Sequence, residues 1–197
     1  MLLVALSLGV VVLDQWTKYC VLRELTTAFD GNDDFGARLK IFTSDAPVPG
    51  PDLYHYRNKR SITLSEDFFR FRYAENQGAA FGLFRGLPDS LRSPLFHVVS
   101  IGAVFLILHY FRKLLGSKEE KWALTGLPLV LGGAIGNYVD RLCRGFVIDF
   151  LEAHWYEKAA WPSFNIADSA ICIGVGLLVI DSFVRKEKKI ALEPVSK

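Results

Sequence analysis

The sequence predicts an all-α membrane protein: a bundle of four transmembrane helices with a small outer sheet and an irregular outer insertion. Of its 197 residues, 51% are hydrophobic and 22% are charged, and the mean hydropathy is +0.23. A charged fraction near that of soluble proteins agrees with a positive mean hydropathy only if the charges cluster between long apolar segments. The same figures exclude a disordered chain, and a net charge of +2 is too small for a nucleic-acid binder.

Four segments are long and apolar enough to cross a bilayer, which takes about 20 mostly apolar residues. They lie at about residues 1–25, 93–111, 122–138 and 164–184. The first segment could also be a cleaved signal peptide. It lacks a basic start and a small-residue cleavage site, so we expect it to remain as a span. The length suits one domain, and we expect the whole chain to form a single membrane domain.

Basic residues predict the orientation of the bundle. Residues 112–121 carry four Lys or Arg, and residues 185–197 carry five. Short basic segments stay in the cytoplasm under the positive-inside rule, so both should be cytoplasmic. An even number of spans then places both termini in the cytoplasm, and residues 26–92 and 141–161 on the outer side.

The long outer segment divides into two parts. Residues 30–60 are rich in Asp, Gly and Pro, which predicts an irregular insertion. Residues 61–84 instead show strand periodicity, in which apolar and cationic side chains alternate. The alternating residues are Phe69, Phe71 and Tyr73 on one face and Arg70 and Arg72 on the other. We expect a small sheet that lies on the outer surface of the membrane.

Ionisable side chains inside spans cost about 2.5–3.5 kcal/mol each, so each needs a partner or a task. Asp14 and Lys18 are four residues apart with the acid first, which favours a structural ion pair over a role in chemistry. Asp181 and Arg185 have the same spacing and predict a second structural pair.

The end of the third span combines small and polar residues. Gly132 and Gly136 form a small-residue face that allows another helix to approach closely. Asn137, Asp140 and Arg141 follow, and the arginine beside Asp140 favours a carboxylate held ionised as structure over one with a direct catalytic role. We expect replacement of Asp140 or Arg141 mainly to lower stability or expression.

Two further aspartates are candidates for chemistry. Asp149 stands in an apolar run with no basic residue within three positions, and burial there would raise the pKa of its carboxyl. A strand residue whose side chain faces water explains the pattern equally well. Asp168 follows a predicted helix start at Pro162 with Ser163 as its cap, and it shares a face with Asn165. The N-terminus of a helix favours the ionised form of a nearby acid.

The predicted topology places Asp149 and Asp168 at similar depth on the outer side. One carboxyl that favours its neutral form and one that favours its ionised form suit general acid–base chemistry. One would take a proton from water while the other, protonated, polarises a substrate carbonyl. Asn76 and Gly78 begin a compact turn that allows close approach of an extended ligand, although a simple β-turn explains it equally well.

Other chemistries have little support in the sequence. It contains no HExxH, GxSxG or phosphate-binding glycine motif. The four histidines are scattered, so we expect neither a metal site nor a cofactor. The three cysteines form no CxxC motif and are typical of core packing rather than nucleophiles.

Five blocks of sequence resemble the bacterial lipoprotein signal peptidase family, also called signal peptidase II. In chain order they are DQWTK from Asp14, NQGAAF from Asn76, GNYVDR from Gly136, VIDF from Val147 and FNIAD from Phe164. Each block alone is weak, but five in the family's order beside four spans make a strong resemblance. Residues 28–60 depart from it, because they are longer than in a compact member.

The resemblance implies an intramembrane aspartic peptidase with a periplasmic β-rich cradle. Its implied reaction removes the signal peptide from prolipoproteins, N-terminal to a cysteine that carries a diacylglyceryl group. Asp149 and Asp168 match the catalytic pair of the family. Residues that match its structural or substrate-contacting positions are Asp14, Lys18, Asn76, Asn137, Asp140, Arg141 and Asn165, and Gly78 joins them from the turn.

The resemblance also implies partners and a location. The partners would be diacylglyceryl-prolipoproteins, membrane lipid and globomycin-type cyclic peptide inhibitors, without nucleic acid. The protein would be a monomer in the bacterial inner membrane, with its active site on the periplasmic side.

Two other classes of protein remain as alternatives. A small transporter whose acids relay protons predicts acids spread across membrane depth, whereas here they gather near one face. A lipid-packing scaffold predicts that Asn at both candidate aspartates changes nothing. A flux assay beside a lipoprotein cleavage assay separates the three classes.

Overall fold

The computed structural model describes residues 1–44, 56–78, 86–115, 121–156 and 158–192. Side chains are described except for residue 89 and residues 185–192. In chain order the elements of this part are α1 (Leu2–Leu25), α2 (Phe35–Thr43), β1 (Ile62–Ser65), β2 (Phe69–Asn76), α3 (Asp89–Leu114), α4 (Lys121–Arg144), β3 (Val147–Trp155), β4 (Ala159–Ala160) and α5 (Ile166–Leu192).

Four of the helices are long and apolar enough to cross a membrane, which confirms the predicted fold class. They are α1, α3, α4 and α5, the last by its segment Ile166–Val184. Helix α4 packs against the other three. The C-terminal ends of α1 and α4 and the N-terminal end of α5 meet the sheet, and we call this the sheet end of the bundle.

Helix α4 is longer than the predicted third span. It continues to Arg144, so Asp140 and Arg141 lie within the helix instead of beyond it. Its final turns are polar because they pack against α1, β3 and α5. Hydropathy therefore predicts a third span that is shorter than the helix, because the last turns of the helix are polar.

Glycines bring α4 close to α1 and α5, as their spacing predicts. A Cβ added at Gly132 would lie 2.7 Å from Val10 Cβ and 2.8 Å from Ser7 O, and one at Gly136 would lie 2.7 Å from Asp14 Oδ2. Gly133 faces the backbone of Ala167 in α5. This close contact sets the distance between the polar side chains that the three helices carry.

The strands form an antiparallel sheet in the order β1-β2-β3-β4. The register of β2 on β3 runs from Phe69 opposite Ala153 to Asn76 opposite Val147, with an irregularity between Phe71 and Ala74. Tyr73 is fully buried, and Arg70 pairs with Glu152 of β3. Thus the predicted alternation does place apolar side chains toward the core.

The start of α5 is tied to β3 through main-chain hydrogen bonds. Leu151 N–H donates to Phe164 O at 2.8 Å, and Phe164 N–H donates to Leu151 O at 3.0 Å. These bonds place the first turn of α5 beside the strand that carries Asp149.

The predicted irregular insertion contains a helix, so that prediction is wrong in part. Asp34 caps α2 by accepting a hydrogen bond from Ala37 N–H at 2.7 Å. Phe42 of α2 packs in a buried cluster with Tyr19, Tyr56 and Tyr73. Tertiary packing of this kind stabilises a nine-residue helix that would be marginal alone. Residues 45–55 of the insertion lie outside the described residues.

Candidate active site

Asp149 is the third residue of β3 and is almost fully buried, with 2% of its surface exposed. The interpretation that its side chain faces water is therefore wrong. Burial raises the pKa of the Asp149 carboxyl from 3.8 to about 7, and the negative charge of Asp168 contributes to the rise. Asn165 Nδ2 donates to Asp149 Oδ1 at 2.7 Å, and the Asn76 side chain also bonds the carboxyl. At neutral pH this group can therefore hold or release a proton.

Asp168 lies in the first turn of α5, half-buried, and Asn165 is the residue that caps this helix. Asp168 N–H donates to Asn165 Oδ1 at 2.9 Å, and Asn165 N–H donates to Asp168 Oδ2 at 3.2 Å. This reciprocal pair satisfies two main-chain donors that a helix start leaves free. The prediction of Ser163 as the cap is wrong, because the helix begins three residues later.

One residue, Asn165, connects the two acids. The Nδ2 of Asn165 contacts Asp149, while its main-chain N–H contacts Asp168. Asn137 Nδ2 donates to Asp168 Oδ1 at 2.8 Å and its Oδ1 accepts from Asn165 Nδ2 at 3.0 Å. The candidate acids thus share a connected set of amide partners, Asn137 and Asn165.

Two other aspartates support the elements that carry this pair. Asp14 Oδ1 accepts a hydrogen bond from Ala167 N–H at 3.0 Å, and Asp140 Oδ2 accepts one from Ile148 N–H at 3.0 Å. Ala167 immediately precedes Asp168, and Ile148 immediately precedes Asp149. Each fully buried carboxylate therefore fixes the main chain beside one candidate acid.

Lys18 joins these two supporting aspartates. Its Nζ lies 2.8 Å from Asp14 Oδ2 and 2.9 Å from Asp140 Oδ2, and it donates to Asn137 Oδ1 at 3.2 Å. The predicted pair of Asp14 and Lys18 is confirmed. Arg144 adds a second cation 2.7 Å from Asp140 Oδ1. We call Asp14, Lys18, Asp140 and Arg144 the charge cluster; it holds two acids and two bases.

The predicted partner of Asp140 is wrong. Arg144, four residues on, makes the ion pair, because residues four apart share a helix face whereas neighbours do not. The Arg141 guanidinium instead donates to Gly78 O at 2.9 Å and lies 4.5 Å from the centre of the Phe96 ring. The spacing rule that found Asp14 and Lys18 would also have found Arg144.

Gln15 is a further site residue that the sequence did not indicate. Its Nε2 donates to Asp140 Oδ1 at 2.9 Å and to Asp14 Oδ2 at 3.1 Å, so it bridges both supporting carboxylates. A glutamine in an apolar span is a detectable signal, because the bilayer offers no other partner.

The turn after β2 reaches the same site. Gly78 N–H donates to Asn76 Oδ1 at 3.0 Å, and Gly78 O accepts from Arg141. Asn76 also contacts Asp149, so both predicted turn residues lie at the site. The rest of the NQGAAF block, residues 79–81, lies outside the described residues.

The remaining polar predictions lie away from this site. Among the described residues, no three His, Cys, Asp or Glu side chains are placed to hold a metal ion. Asp181 Oδ1 accepts a hydrogen bond from Ala123 N–H at 3.3 Å. The side chain of Arg185, its predicted partner, lies outside the described residues.

Comparison with known proteins identifies the family. Residues 6–184 match the family described as signal peptidase (SPase) II. The chain belongs to the signal peptidase II family. It is therefore a protease, and with four apolar helices it is a multi-pass membrane protein.

Two lipoprotein signal peptidases are similar in sequence to this signal peptidase II over most of its length. It is 44% identical to the lipoprotein signal peptidase of Anaeromyxobacter sp. (strain Fw109-5) over 186 residues, 91% of this chain and 83% of the relative. It is 36% identical to that of Geobacter sulfurreducens (strain ATCC 51573 / DSM 12127 / PCA) over 185 residues, 94% of this chain and 92% of the relative.

Solved structures show the same fold. A bacterial membrane enzyme superposes with a TM-score of 0.66 at 22% identity and covers 98% of this chain and 94% of its own. A second has a TM-score of 0.61 at 23% identity and covers 90% of each chain.

Proposed function

We propose that Asp149 and Asp168 are the catalytic pair with which this signal peptidase removes signal peptides from lipoproteins. The observation that carries the proposal is the position of Asn165, whose side-chain and main-chain nitrogens each bond one of the two carboxyls. The pair combines a buried acid, with a pKa near 7, and a half-buried acid in the first turn of a helix. Such unequal surroundings suit two carboxyls that share one proton.

In the mechanism we infer, the pair activates a water molecule that attacks the scissile carbonyl directly. One carboxylate takes a proton from the water as the new C–O bond forms, while the protonated carboxyl donates to the carbonyl oxygen. The C–N bond then breaks as the leaving nitrogen accepts a proton from one carboxyl and a hydroxyl of the tetrahedral intermediate returns its proton to the other, so the pair is restored and no acyl-enzyme forms. Asn137, Asn165 and Asn76 hold the two carboxyls in place through both steps.

The proposed substrate is a prolipoprotein whose cysteine already carries a diacylglyceryl group. Cleavage N-terminal to that cysteine places the scissile bond at the membrane edge, where the lipid chains can remain in the bilayer. The acids lie at the sheet end of the bundle, so the peptide would enter laterally between lipid and sheet. Arg141 and Gly78 lie beside the pair and suit contact with an extended peptide.

We further propose that both termini are cytoplasmic and that the site faces the periplasm of the bacterial inner membrane. The basic residues at 112–121 and 185–197 support this orientation. We expect the enzyme to act as a monomer, to contact membrane lipid and to bind globomycin-type cyclic peptides.

Asp149→Asn and Asp168→Asn test the catalytic assignment. Each keeps the side-chain size but removes the ionisable carboxyl, so each should abolish cleavage of a diacylglyceryl-modified lipopeptide by protein that is still folded. Asp67→Asn, at an exposed turn, is the matched control and should cleave normally. Normal cleavage by either catalytic variant would refute the assignment, and proton flux without cleavage in the wild type would favour a transporter.

A further inference from the structure

The last residue of α4 makes contact with two separate parts of the molecule. Arg144 is 5% exposed and its Nη1 donates to Asp140 Oδ1 at 2.7 Å. On its other side, the guanidinium carbon lies 4.0 Å from the centre of the Phe42 ring, in α2 of the insertion. One buried cation therefore joins the insertion to the charge cluster.

The net charge of the charge cluster is zero only when Arg144 is present, because the cluster contains two carboxylates and one other cation, Lys18. Lys18 is already shared between Asp14 and Asp140 and also donates to Asn137. Without Arg144, two fully buried carboxylates would have one cation between them. An uncompensated buried charge is strongly destabilising, so Asp140 would move toward water or take up a proton.

Movement of Asp140 would reach the proposed catalytic strand directly. Its other carboxylate oxygen accepts the Ile148 N–H, and Ile148 is the residue before Asp149. Ile148 O also accepts from Asn165 Nδ2 at 3.3 Å. The main chain of Ile148 therefore contacts Asp140 on one side and, on the other, the residue that bonds both candidate acids. The chain of contacts runs from Phe42 through Arg144 and Asp140 to Ile148.

We propose that Arg144 is a positioning residue that fixes β3 beside the catalytic site, and that α2 acts on the reaction by covering the Arg144 guanidinium with the Phe42 ring. This inference rests on the proposed role of Asp149. A ring over a cation attracts it more strongly when water is excluded. Loss of the ring would hydrate Arg144, weaken its bond to Asp140 and loosen the Ile148 peptide.

Phe42→Leu tests the contact in the full-length enzyme, assayed on a diacylglyceryl-modified lipopeptide. Phe29→Leu is the matched control, because Phe29 is equally buried in the same cluster and, like Phe42, packs on Tyr19, with ring centres 5.1 Å and 5.6 Å away. The Arg144 guanidinium, in contrast, lies over the Phe42 ring. We expect Phe42→Leu to lower kcat about fivefold with KM nearly unchanged, since small misplacements of catalytic groups reduce rate strongly. Phe29→Leu should leave kcat of the folded enzyme unchanged.

Arg144 variants provide a second readout. Arg144→Met should lower kcat of the folded enzyme more than tenfold, and Arg144→Lys should recover part of that loss because the charge is restored. If Arg144→Met only lowers the unfolding temperature while kcat per folded molecule is unchanged, the arginine is structural and the proposal is overturned. Equal effects of Phe42→Leu and Phe29→Leu on kcat overturn the role of α2.

Hydrogen exchange separates this inference from the proposed function. The amide of Ile148 should exchange faster in Phe42→Leu and Arg144→Met than in the wild type or Phe29→Leu. This measurement does not depend on turnover. An active Asp149→Asn variant would refute the catalytic assignment whatever the exchange result, whereas unchanged exchange at Ile148 would overturn the positioning inference while the catalytic pair stands.

Discussion

Asp149→Asn should stabilise the enzyme at neutral and alkaline pH, even though we expect the same variant to lose activity. The folded state raises the pKa of the Asp149 carboxyl from 3.8 to about 7, mainly because burial disfavours its charged form. The unfolded chain therefore releases this proton near pH 4, while the folded enzyme holds it to about pH 7. Stability is present below the unfolded pKa and is lost as the pH rises through the folded one.

The size of this loss follows from the two pKa values. A difference of about 3 at 1.36 kcal/mol per pKa unit gives about 4 kcal/mol, reached near pH 7 and constant above it. Asparagine cannot ionise, so Asp149→Asn should avoid the whole pH-dependent loss. For a chain of this length, about 4 kcal/mol corresponds to a change of about 10 °C in unfolding temperature.

Thermal unfolding of detergent-solubilised protein between pH 4 and pH 8.5 measures the effect. The unfolding temperature of the variant, relative to wild type, should rise from pH 4 to about pH 7 and then level off. Asp67→Asn, at an exposed position, should show no such trend. A difference between Asp149→Asn and wild type that is independent of pH would refute the argument that burial raises the pKa of the Asp149 carboxyl.

Two other predictions follow from the same geometry. Because the proposed catalytic pair shares one proton, kcat should fall as the pH rises above about 7, where Asp149 loses its proton. A rate profile from pH 5 to 9 measures this, and a rate that keeps rising to pH 9 would contradict it. Gly133→Ala should destabilise the bundle by about 1–3 kcal/mol, because the new Cβ meets the main chain of Ala167. Gly176→Ala meets no atom within 4 Å, and because alanine favours a helix more than glycine does, it should not lower the unfolding temperature.

Much of the fold could be predicted because the bilayer imposes strict demands on the sequence. A span needs a long apolar run, and a charge within it needs a partner, so the four helices and the pair of Asp14 and Lys18 follow from spacing alone. The buried state of Asp149 was one of two open interpretations. Periodicity shows which residues share a face but not which face another element covers, and here α5 supplies that cover through Asn165.

Each error has an identifiable physical origin. Helix α2 was missed because nine residues among Asp, Gly and Pro hold a helix only when tertiary contacts such as that of Phe42 stabilise it. Ser163 was chosen as the cap on residue type, but the main-chain bonds of Phe164 to β3 extend the strand connection and delay the helix to Ile166. Arg141 was assigned to Asp140 by adjacency, although helix geometry directs it toward Gly78. In the first two cases a long-range contact overrides a local preference, whereas the third follows from the local geometry of the helix, in which residues four apart share a face.

The charge cluster is better explained by the positions it fixes than by the stability it adds. Replacing buried ion pairs with apolar side chains is often neutral or stabilising, so four buried charges are not needed to hold three helices together. An apolar side chain, however, cannot accept a hydrogen bond from the main chain. Asp14 and Asp140 each accept a hydrogen bond from the main-chain N–H of the residue that precedes one acid of the proposed pair. Lys18 contacts both of these carboxylates and so holds them in one network.

Asp149 lies in strand β3 and Asp168 lies in helix α5, so neither element alone sets the separation of the two acids. It is set where both elements bond to carboxylates that share a lysine. Lys18 of α1 thereby fixes the positions of both carboxylates, and through them the main chain beside each candidate acid. Loss of Lys18 should then affect the geometry between the acids more than the packing of either element.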